Sequence, residues 1–79
     1  MNEKLKSMRI SRGLSQSKLA AMAGINTRTL QHYEQGSKDF DHAKLSTIFS
    51  VCNALECKLS DIINDENFID MIGKYERRS

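Results

Sequence analysis

Apolar residues recur along this chain at intervals of three and four, which is the spacing of helices that bury one face. The longest such pattern runs from about His42 to Leu55, and we predict that this helix forms the centre of the core. Its apolar positions are Leu45, Ile48, Phe49, Cys52 and Leu55. No stretch alternates apolar and polar residues for long, so the pattern gives strands little support.

Glycines and capping residues divide the first half of the sequence into short helices. Gly13 follows the first helix, at the position where a left-handed C-cap is expected. Ser15 and Asn26 are predicted N-caps, because their side-chain oxygens can accept hydrogen bonds from the free N–H groups at a helix start. Gly24 and Gly36 are expected to end the second and third helices.

Two further short helices are predicted after the central one. Ser60 is expected to cap a turn that contains Ile62 and Ile63, and the last helix carries apolar residues at helical spacing but is interrupted by Gly73. Those apolar residues are Phe68, Ile69, Ile72 and Tyr75. Five or six short helices with tight connections predict an all-α bundle.

Length and composition limit the class of protein. A chain of 79 residues forms one domain at most, because a second core could not bury enough apolar surface. Apolar residues make up 39% and charged residues 28%, which is ordinary for a soluble globular protein. No apolar run approaches the roughly 18 residues of a membrane span, and the N-terminal residues lack the apolar core of a signal peptide. We therefore expect a cytoplasmic protein that does not contact a membrane.

The net charge of +2 is unevenly distributed. Residues 1–38 carry seven Lys or Arg against two acids, whereas residues 39–73 carry two against seven acids. A basic half beside an acidic half is the arrangement expected of a protein with one side facing phosphates. The alternative is a polarised solvated surface, which charge alone does not exclude.

The sequence offers no catalytic or cofactor chemistry. Cys52 and Cys57 are predicted to be buried free thiols, since two cysteines amid an apolar helical pattern are too few for a disulfide framework. His32 and His42 have no partner arrangement suited to a metal ion. Without a Ser/His/Asp or Cys/His set or a phosphate-binding loop, we expect neither a cofactor nor an enzyme.

The segment QSKLAAMAGINTRTLQHY, residues 16–33, carries a more specific pattern. Two short helices that cross steeply need a small residue at the fifth position and a turn that tolerates a left-handed backbone, which Ala20 and Gly24 provide. Five apolar residues stand where side chains would point into the angle between the helices. They are Leu19, Ala23, Ile25, Leu30 and Tyr33. The polar run of residues 26–29 suits no core and is interpreted as part of a reading surface.

The longer stretch GLSQSKLAAMAGINTRTLQHYEQG resembles the Cro/phage-repressor, or Xre-type, helix-turn-helix DNA-binding domains, which often read GLSQ-x-x-LA and later Y-E-x-G. The likeness continues through STIFSVCNALECKLSDII and covers roughly residues 3–64. It implies a compact five-helix, lambda-repressor-like bundle over residues 1–64, followed by a helical tail of residues 65–79 with a short sixth helix. Two departures are the long segment SKDFDHAK and Glu56, which stands where many members have Gly or Asn.

The resemblance implies that a helix of about residues 27–35 is the recognition helix, with its N-terminal residues on base edges in the major groove. Arg28 is the leading candidate for direct readout, because a guanidinium can donate two hydrogen bonds to guanine O6 and N7. Thr27, Gln31 and His32 are expected to read bases beside it. The alternative for this face is an ordinary solvated helix surface.

Contacts to the DNA backbone are expected around the same two helices. By the resemblance, Gln16 clamps a phosphate at the start of the second helix, where free backbone N–H groups also lie. Further candidates for phosphate contacts are Asn26, Gln35, Ser37 and Lys38. For Asn26 the alternative is a plain N-cap, and the two roles are compatible. Arg9 and Glu34 are expected to form a structural ion pair between the first and third helices.

These expectations predict a small bacterial or phage transcriptional regulator, in the first instance a repressor, that binds double-stranded operator DNA sequence-specifically. Two copies on a pseudo-palindrome would supply the affinity that one small module lacks. The alternative is an antitoxin-like or other protein-interaction module that holds a partner, such as a toxin, through its acidic half. The apolar stripe of the tail either packs on its own subunit or pairs with a second copy in a homodimer.

Overall fold

The computed structural model describes residues 1–77, which form six helices and contain no strand. In chain order the helices are α1 (Glu3–Ser11), α2 (Gln16–Ala23), α3 (Thr27–Gln35), α4 (Leu45–Leu55), α5 (Leu59–Ile62) and α6 (Glu66–Glu76). The predicted all-α fold of five short helices followed by a sixth is therefore confirmed. No helix within the described residues is long and apolar enough to cross a lipid bilayer.

The predicted capping residues set the helix boundaries in the first half of the chain. Ser15 Oγ accepts a hydrogen bond from the backbone N–H of Lys18 at 3.1 Å, and Asn26 Oδ1 accepts one from the N–H of Arg28 at 2.7 Å. Gly24 ends α2 with φ +70°, a conformation that costs an L side chain about 1–2 kcal/mol. The turn between α2 and α3 therefore has the geometry that the sequence predicts.

The predicted start of the central helix is wrong by about one turn. α4 begins at Leu45 rather than near His42. Before it, Phe40 and Ala43 close a turn in which the Ala43 N–H donates to the Phe40 carbonyl at 3.1 Å. Residues 42–44 are therefore part of the connection from α3, although none of these residue types excludes a helix.

Two further local predictions are wrong. Ser60 does not cap α5 but lies inside it, and the helix start is fixed instead by the Asp61 carboxylate, which accepts the backbone N–H of Lys58 at 2.9 Å. Gly73 does not interrupt α6, which continues to Glu76. A single glycine in a helix interior costs only about 1 kcal/mol relative to alanine, which is too little to end a helix that packs on the bundle.

The hydrophobic core draws on all of the first five helices and on the connection before α4. Its buried side chains are Leu5, Leu19, Ala20, Ala23, Leu30, Phe40, Ile48, Val51, Cys52, Leu55, Ile62 and Ile63. Phe40 meets Tyr33 edge-on, with ring centroids 5.2 Å apart, which is a favourable aromatic geometry. Phe40 was not predicted as a core residue, because it stands in a polar segment without a periodic pattern.

The central helix buries only part of its predicted apolar face. Ile48, Cys52 and Leu55 are buried as predicted, whereas Leu45 is 59% exposed and Phe49 is 45% exposed. Leu45 and Phe49 stand one turn apart on the side of α4 that borders α6. They lie at the edge of the bundle, so the prediction that places them in the core is wrong.

α6 rests on the bundle along one side only. Phe68 and Ile69 are half-buried and pack against the core, and no residue of α6 is fully buried. The start of the helix is held by the buried carboxylate of Asp41, which accepts the backbone N–H groups of Asn64 at 3.1 Å and Asp65 at 2.8 Å. The tail therefore contacts its own subunit and leaves its outer side exposed.

Candidate nucleic-acid interface

α2 and α3 form a helix-turn-helix unit anchored in the core. Leu19 and Ala20 of α2 and Leu30 of α3 are buried between the helices and the rest of the bundle. Across the turn at Gly24, the backbone N–H of Ile25 donates to the Ala20 carbonyl at 3.0 Å. This hydrogen bond and the packing of the small Ala20 side chain fix the direction in which α3 leaves the turn.

α3 is divided into a buried side and a polar side. Leu30 and Glu34 are buried against the bundle. Five polar residues of α3 span a continuous arc of about 140° at 100° per residue, and Thr29 lies about 60° beyond it. The five are Thr27, Arg28, Gln31, His32 and Gln35. All four side chains predicted to read bases therefore share one side of α3, and Gln35 extends it.

The first turn of α3 presents Arg28 beside the capping amide of Asn26. Arg28 is exposed, and its backbone N–H is bound by Asn26 Oδ1. Because the oxygen of Asn26 is used in the cap, only its amide nitrogen is left to donate to an external acceptor such as a phosphate. The cap and the phosphate contact are thus compatible at this residue.

His32 is oriented by Ser37, which follows α3. The Ser37 hydroxyl lies 2.8 Å from His32 Nδ1 and donates to the His32 carbonyl at 3.3 Å. In the tautomer whose Nδ1 donates to the hydroxyl, Nε2 is an acceptor that fits the amino group of a cytosine or an adenine. In the other tautomer, Nε2 donates to a base acceptor.

A chain of side-chain hydrogen bonds connects the polar side of α3 to its buried side. Gln31 Nε2 donates to Gln16 Oε1 at 3.4 Å, and Gln16 Nε2 donates to Glu34 Oε1 at 3.2 Å. Gln16 was predicted from the sequence as a phosphate clamp, and the structure places its amide between a base-reading candidate and a buried carboxylate. Its orientation is therefore set before any contact with DNA.

Arg9 and Glu34 form the ion pair at the base of this chain. Arg9 Nε lies 2.7 Å from Glu34 Oε2, and Nη2 donates to Oε1 at 3.1 Å. A third donor, Nη1, binds the carbonyl of Leu14 at 2.8 Å. Both side chains are largely buried, so the two charges hold α1 against α3 and have a structural function.

Not all of the positive charge of residues 1–38 is free to meet phosphates. Lys4 Nζ donates to the carbonyl of Ile63 at 2.7 Å, at the end of α5, and Arg12 Nε donates to the carbonyl of Leu55 at 2.7 Å, at the end of α4. These cations satisfy helix C-termini. With Arg9 in an ion pair, the basic side chains of this half that remain for DNA are Lys6, Lys18 and Lys38, together with the base-reading candidate Arg28.

The backbone-contact candidates lie at both ends of α3. Asn26 precedes the helix, while Gln35, Ser37 and Lys38 are all exposed at and just beyond its end. The Lys38 N–H donates to the His32 carbonyl at 3.2 Å and thereby keeps this short segment close to the helix. Asn26, Ser37 and Lys38 thus flank the base-reading side, whereas Gln35 lies on it, one turn beyond Gln31.

The two cysteines belong to the core and not to this surface. Both are free thiols, with Cys52 buried and Cys57 half-buried. Desolvation raises the pKa of Cys52 to about 12 and also raises the pKa of Cys57. Both sulfur atoms are therefore protonated at neutral pH and contribute packing.

Residues 5–62 match the model of the helix-turn-helix family of the Xre/Cro type, which agrees with the fold and with the geometry of α2 and α3. The chain belongs to this family, and its domain is that of a DNA-binding helix-turn-helix regulator. The resemblance seen in the sequence is confirmed. No curated protein and no solved structure matches the chain.

Proposed function

We propose that this protein is a sequence-specific transcriptional regulator, acting as a repressor, that binds a pseudo-palindromic operator as a homodimer. The observation that carries the proposal is the continuous polar arc of α3, held on a helix whose other side is buried in the core. A helix of this kind can enter the major groove as a rigid body. The role requires no catalysis and no cofactor, and it fits a bacterial or phage protein of the cytoplasm.

Arg28 is assigned the principal base contact. Its exposed guanidinium at the first turn of α3 suits the two acceptors of a guanine edge. Gln31 is assigned the next contact, since its amide can pair with adenine and is oriented by Gln16. Thr27 and His32 complete the reading set, the first by its hydroxyl and methyl groups and the second through Nε2.

Phosphate contacts are assigned to the residues that flank the reading set. Gln16 lies at the start of α2, where the helix also directs its first backbone N–H groups outward. The other members are Asn26, Gln35, Ser37 and Lys38. Contacts of this kind position the protein on the duplex without selecting a sequence.

The small size of the module supports a homodimer. Nine residues of α3 reach only a few base pairs, whereas specific complexes of high affinity use more contact area. Two subunits would place their recognition helices on half-sites about one helical turn (roughly 10 bp) or a multiple of it apart. A repressor bound in this way occludes the promoter that its operator overlaps.

Selection from randomised duplexes, followed by titration of the selected site, tests the proposal. We expect a two-fold symmetric preferred site, and Arg28→Ala should lose about 1–3 kcal/mol of binding free energy and relax the preference at one base pair in each half-site. Lys58→Ala, which removes an exposed cation next to α5, is the matched control and should retain the preference. Retention of the full preference by Arg28→Ala would show that α3 does not read DNA through this residue.

The second candidate is an antitoxin-like or other protein-interaction module on the same fold. It is favoured by the exposed apolar side chains of α4 and α6, which a toxin could cover. Co-expression with the product of an adjacent reading frame tests it: a stable complex that inhibits that product supports this function. If the protein represses its operator and no adjacent reading frame encodes such a partner, the proposed regulator function is supported.

A further inference from the structure

Cys52 and Cys57 stand on either side of the turn that ends α4. On an unbroken helix, side chains five residues apart would point about 140° away from each other at 100° per residue. Here the helix ends between them, because Glu56 adopts a left-handed conformation with φ +52°. The Cys57 N–H then donates to the Cys52 carbonyl at 3.1 Å, and the Glu56 N–H to the Asn53 carbonyl at 3.3 Å. These two hydrogen bonds define a Schellman motif.

The Schellman motif brings the two thiols together. In this motif the residues joined by the longer-range hydrogen bond commonly make an apolar contact with each other. In this chain those two residues are Cys52 and Cys57, and their thiols interact directly, with Cys52 as the donor. The end of α4 therefore holds two sulfur atoms side by side.

The backbone that carries the two thiols is fixed from both sides. Arg12 of α1 donates from Nε to the Leu55 carbonyl at 2.7 Å and from Nη2 to the Glu56 carbonyl at 3.1 Å. On the other side, the Asp61 carboxylate accepts the backbone N–H of Lys58 at 2.9 Å. A ligand of the thiol pair would find this turn already ordered, which lowers the entropic cost of binding.

The number and type of donors select the ligand. Thiolates are soft donors, which suit Cu(I), Zn²⁺ and iron–sulfur clusters. Structural zinc sites use four ligands, and iron–sulfur clusters are held by four cysteines. Among the residues that the structure describes, no group of three or more His, Cys, Asp or Glu side chains could hold a metal ion. Two thiolates alone satisfy an ion that accepts linear two-coordination, as Cu(I) and Ag(I) do with their filled d shells.

The size and accessibility of the pair suit such an ion. At metal–sulfur bond lengths of about 2.3 Å, a linear S–metal–S unit spans about 4.5 Å, which two neighbouring thiols reach by small side-chain rotations. Cys52 is only 6% exposed, whereas Cys57 is half-buried. An ion therefore enters from the side of Cys57. Arg12 and Asp61 act on Cys57 with opposite charges, so no unbalanced positive charge opposes a cation.

We propose that Cys52 and Cys57 together bind one Cu(I) ion per chain as a linear bis-thiolate. Two metal–sulfur bonds form and two S–H bonds break, and both protons pass to water. The site lies at the end of α4, and neither cysteine belongs to the polar side of α3. The inference thus goes beyond the proposed function and does not depend on it.

Competition with the chromogenic Cu(I) chelator bicinchoninate tests the proposal on the full reduced chain without oxygen. We expect the chain to withdraw one Cu(I) ion per molecule from the chelator. Cys52→Ser and Cys57→Ser should each weaken this binding by more than about a hundredfold, because each removes one of only two ligands. Met8→Leu removes another soft sulfur atom near the core and is the matched control. It should bind Cu(I) as the wild-type chain does.

Cys57→Ser separates the loss of a ligand from a loss of folding. Because Cys57 is half-buried, circular dichroism should show unchanged helix content for this variant. Ag(I), which takes the same linear coordination, should raise the midpoint of thermal unfolding of the wild-type chain and leave that of Cys57→Ser unchanged. Zn²⁺ at the same concentration should shift neither midpoint.

Urea distinguishes a site built by the fold from simple chelation by two cysteines. We expect the folded chain to bind Cu(I) at least about tenfold more tightly than the urea-unfolded chain, because only the fold holds the thiols together. Equal affinities would overturn the proposal. It would also be overturned by failure to compete with the chelator, by binding that persists in either cysteine variant, or by one ion shared between two chains. DNA titrations test the reading residues of α3 separately.

Discussion

Gln16 donates a hydrogen bond to Glu34 over 3.2 Å, and Glu34 is the same buried residue that pairs with Arg9. One carboxylate thus serves two purposes. It neutralises a cation that holds α1 against α3, and it fixes an amide at the edge of the DNA-binding side. A substitution at this carboxylate should affect both the stability of the fold and the geometry of binding, so the two effects have to be measured separately.

Removal of the Glu34 carboxylate should strongly destabilise the fold. Glu34→Ala leaves the largely buried Arg9 guanidinium without its counter-charge, which should cost about 3–5 kcal/mol of unfolding free energy. Urea unfolding at 25 °C measures the loss. Glu66→Ala, at an exposed carboxylate of α6, is the control and should change stability by less than about 0.5–1 kcal/mol. A loss of under about 1 kcal/mol for Glu34→Ala would show that the ion pair contributes little.

The contact between Gln16 and Gln31 should appear as coupling in DNA binding. Gln16→Ala alone should weaken binding to all sequences alike, and Gln31→Ala should also weaken the preference at one base pair. Because Gln31 donates to Gln16 at 3.4 Å, the double variant should lose about 0.5–1 kcal/mol less than the sum of the single losses. Strictly additive losses in a double-mutant cycle would mean that the two amides act independently.

Salt dependence should reflect only the cations that remain for phosphates. With Arg28 on a base, three such side chains on each subunit (Lys6, Lys18 and Lys38) should give a slope of log K against log salt of about −3 for binding to a half-site. Lys38→Ala should reduce the slope by about 0.9. Lys4→Ala removes a cation that caps α5, so it should leave the slope unchanged. Binding that does not vary between about 50 and 200 mM salt would contradict a phosphate-facing surface.

Glu56 offers a stabilising substitution. It ends α4 with φ +52°, the only positive φ of a non-glycine residue within the described chain. Glu56→Gly should relieve this backbone strain, while glycine also increases the entropy of the unfolded chain. The net effect should be an increase of about 0.5–1 kcal/mol in the unfolding free energy. Gly24→Ala imposes the same strain at φ +70°, where the added methyl group meets no atom within 4 Å, and should lower stability by a similar amount. Thermal unfolding should therefore shift in opposite directions for the two variants.

The connection before α4 should make stability depend on pH. The pKa of His42 is raised above its ordinary value of 6.5, first because Nδ1 donates a hydrogen bond to the Asp39 carboxylate at 2.6 Å and then because of the charge of Asp39. Asp41 and Asp65 add smaller effects in the same direction, and desolvation opposes them. The folded chain thus holds this proton more tightly than the unfolded chain does. The stabilisation is fully present below pH 6.5 and is lost as the pH rises through the raised pKa.

Asp39→Asn isolates this contribution. Urea unfolding at about pH 6 and pH 8 should show a smaller decline with rising pH for Asp39→Asn than for the wild-type chain. An equal decline in both proteins would show that the ion pair with His42 does not contribute. The effect should be small, because both side chains are more than 60% exposed.

The sequence predicted the helix-turn-helix unit well because its constraints are local. Ala20 and Gly24 are required by the crossing and the turn, and Ser15 and Asn26 act on the residues that directly follow them. Periodicity predicted five or six short helices, and the resemblance implied the five-helix fold followed by a short sixth helix. Information of this kind is held within a few consecutive residues.

Features that depend on distant residues were not predictable in the same way. Asp41 looked like one more acid in a polar connection, yet it is buried against the start of α6, 23 residues further along the chain. Leu45 and Phe49 fit the apolar period of α4 but lie at the edge of the bundle. The periodicity of a helix identifies its apolar side, but it does not show how much of that side is covered by other elements.

The division of α3 into two sides separates the requirements for folding from those for target choice. Arg28 and His32 are not among the buried core residues, so a duplicated gene can exchange them without loss of the folded domain. Leu30 and Glu34 have no such freedom. Gln31 lies between the two groups through its bond to the α2 amide. We therefore expect Arg28 and His32 to change rapidly as related proteins acquire new DNA targets, and Leu30 and Glu34 to change slowly. A change at Gln31 should be accompanied by a change in α2.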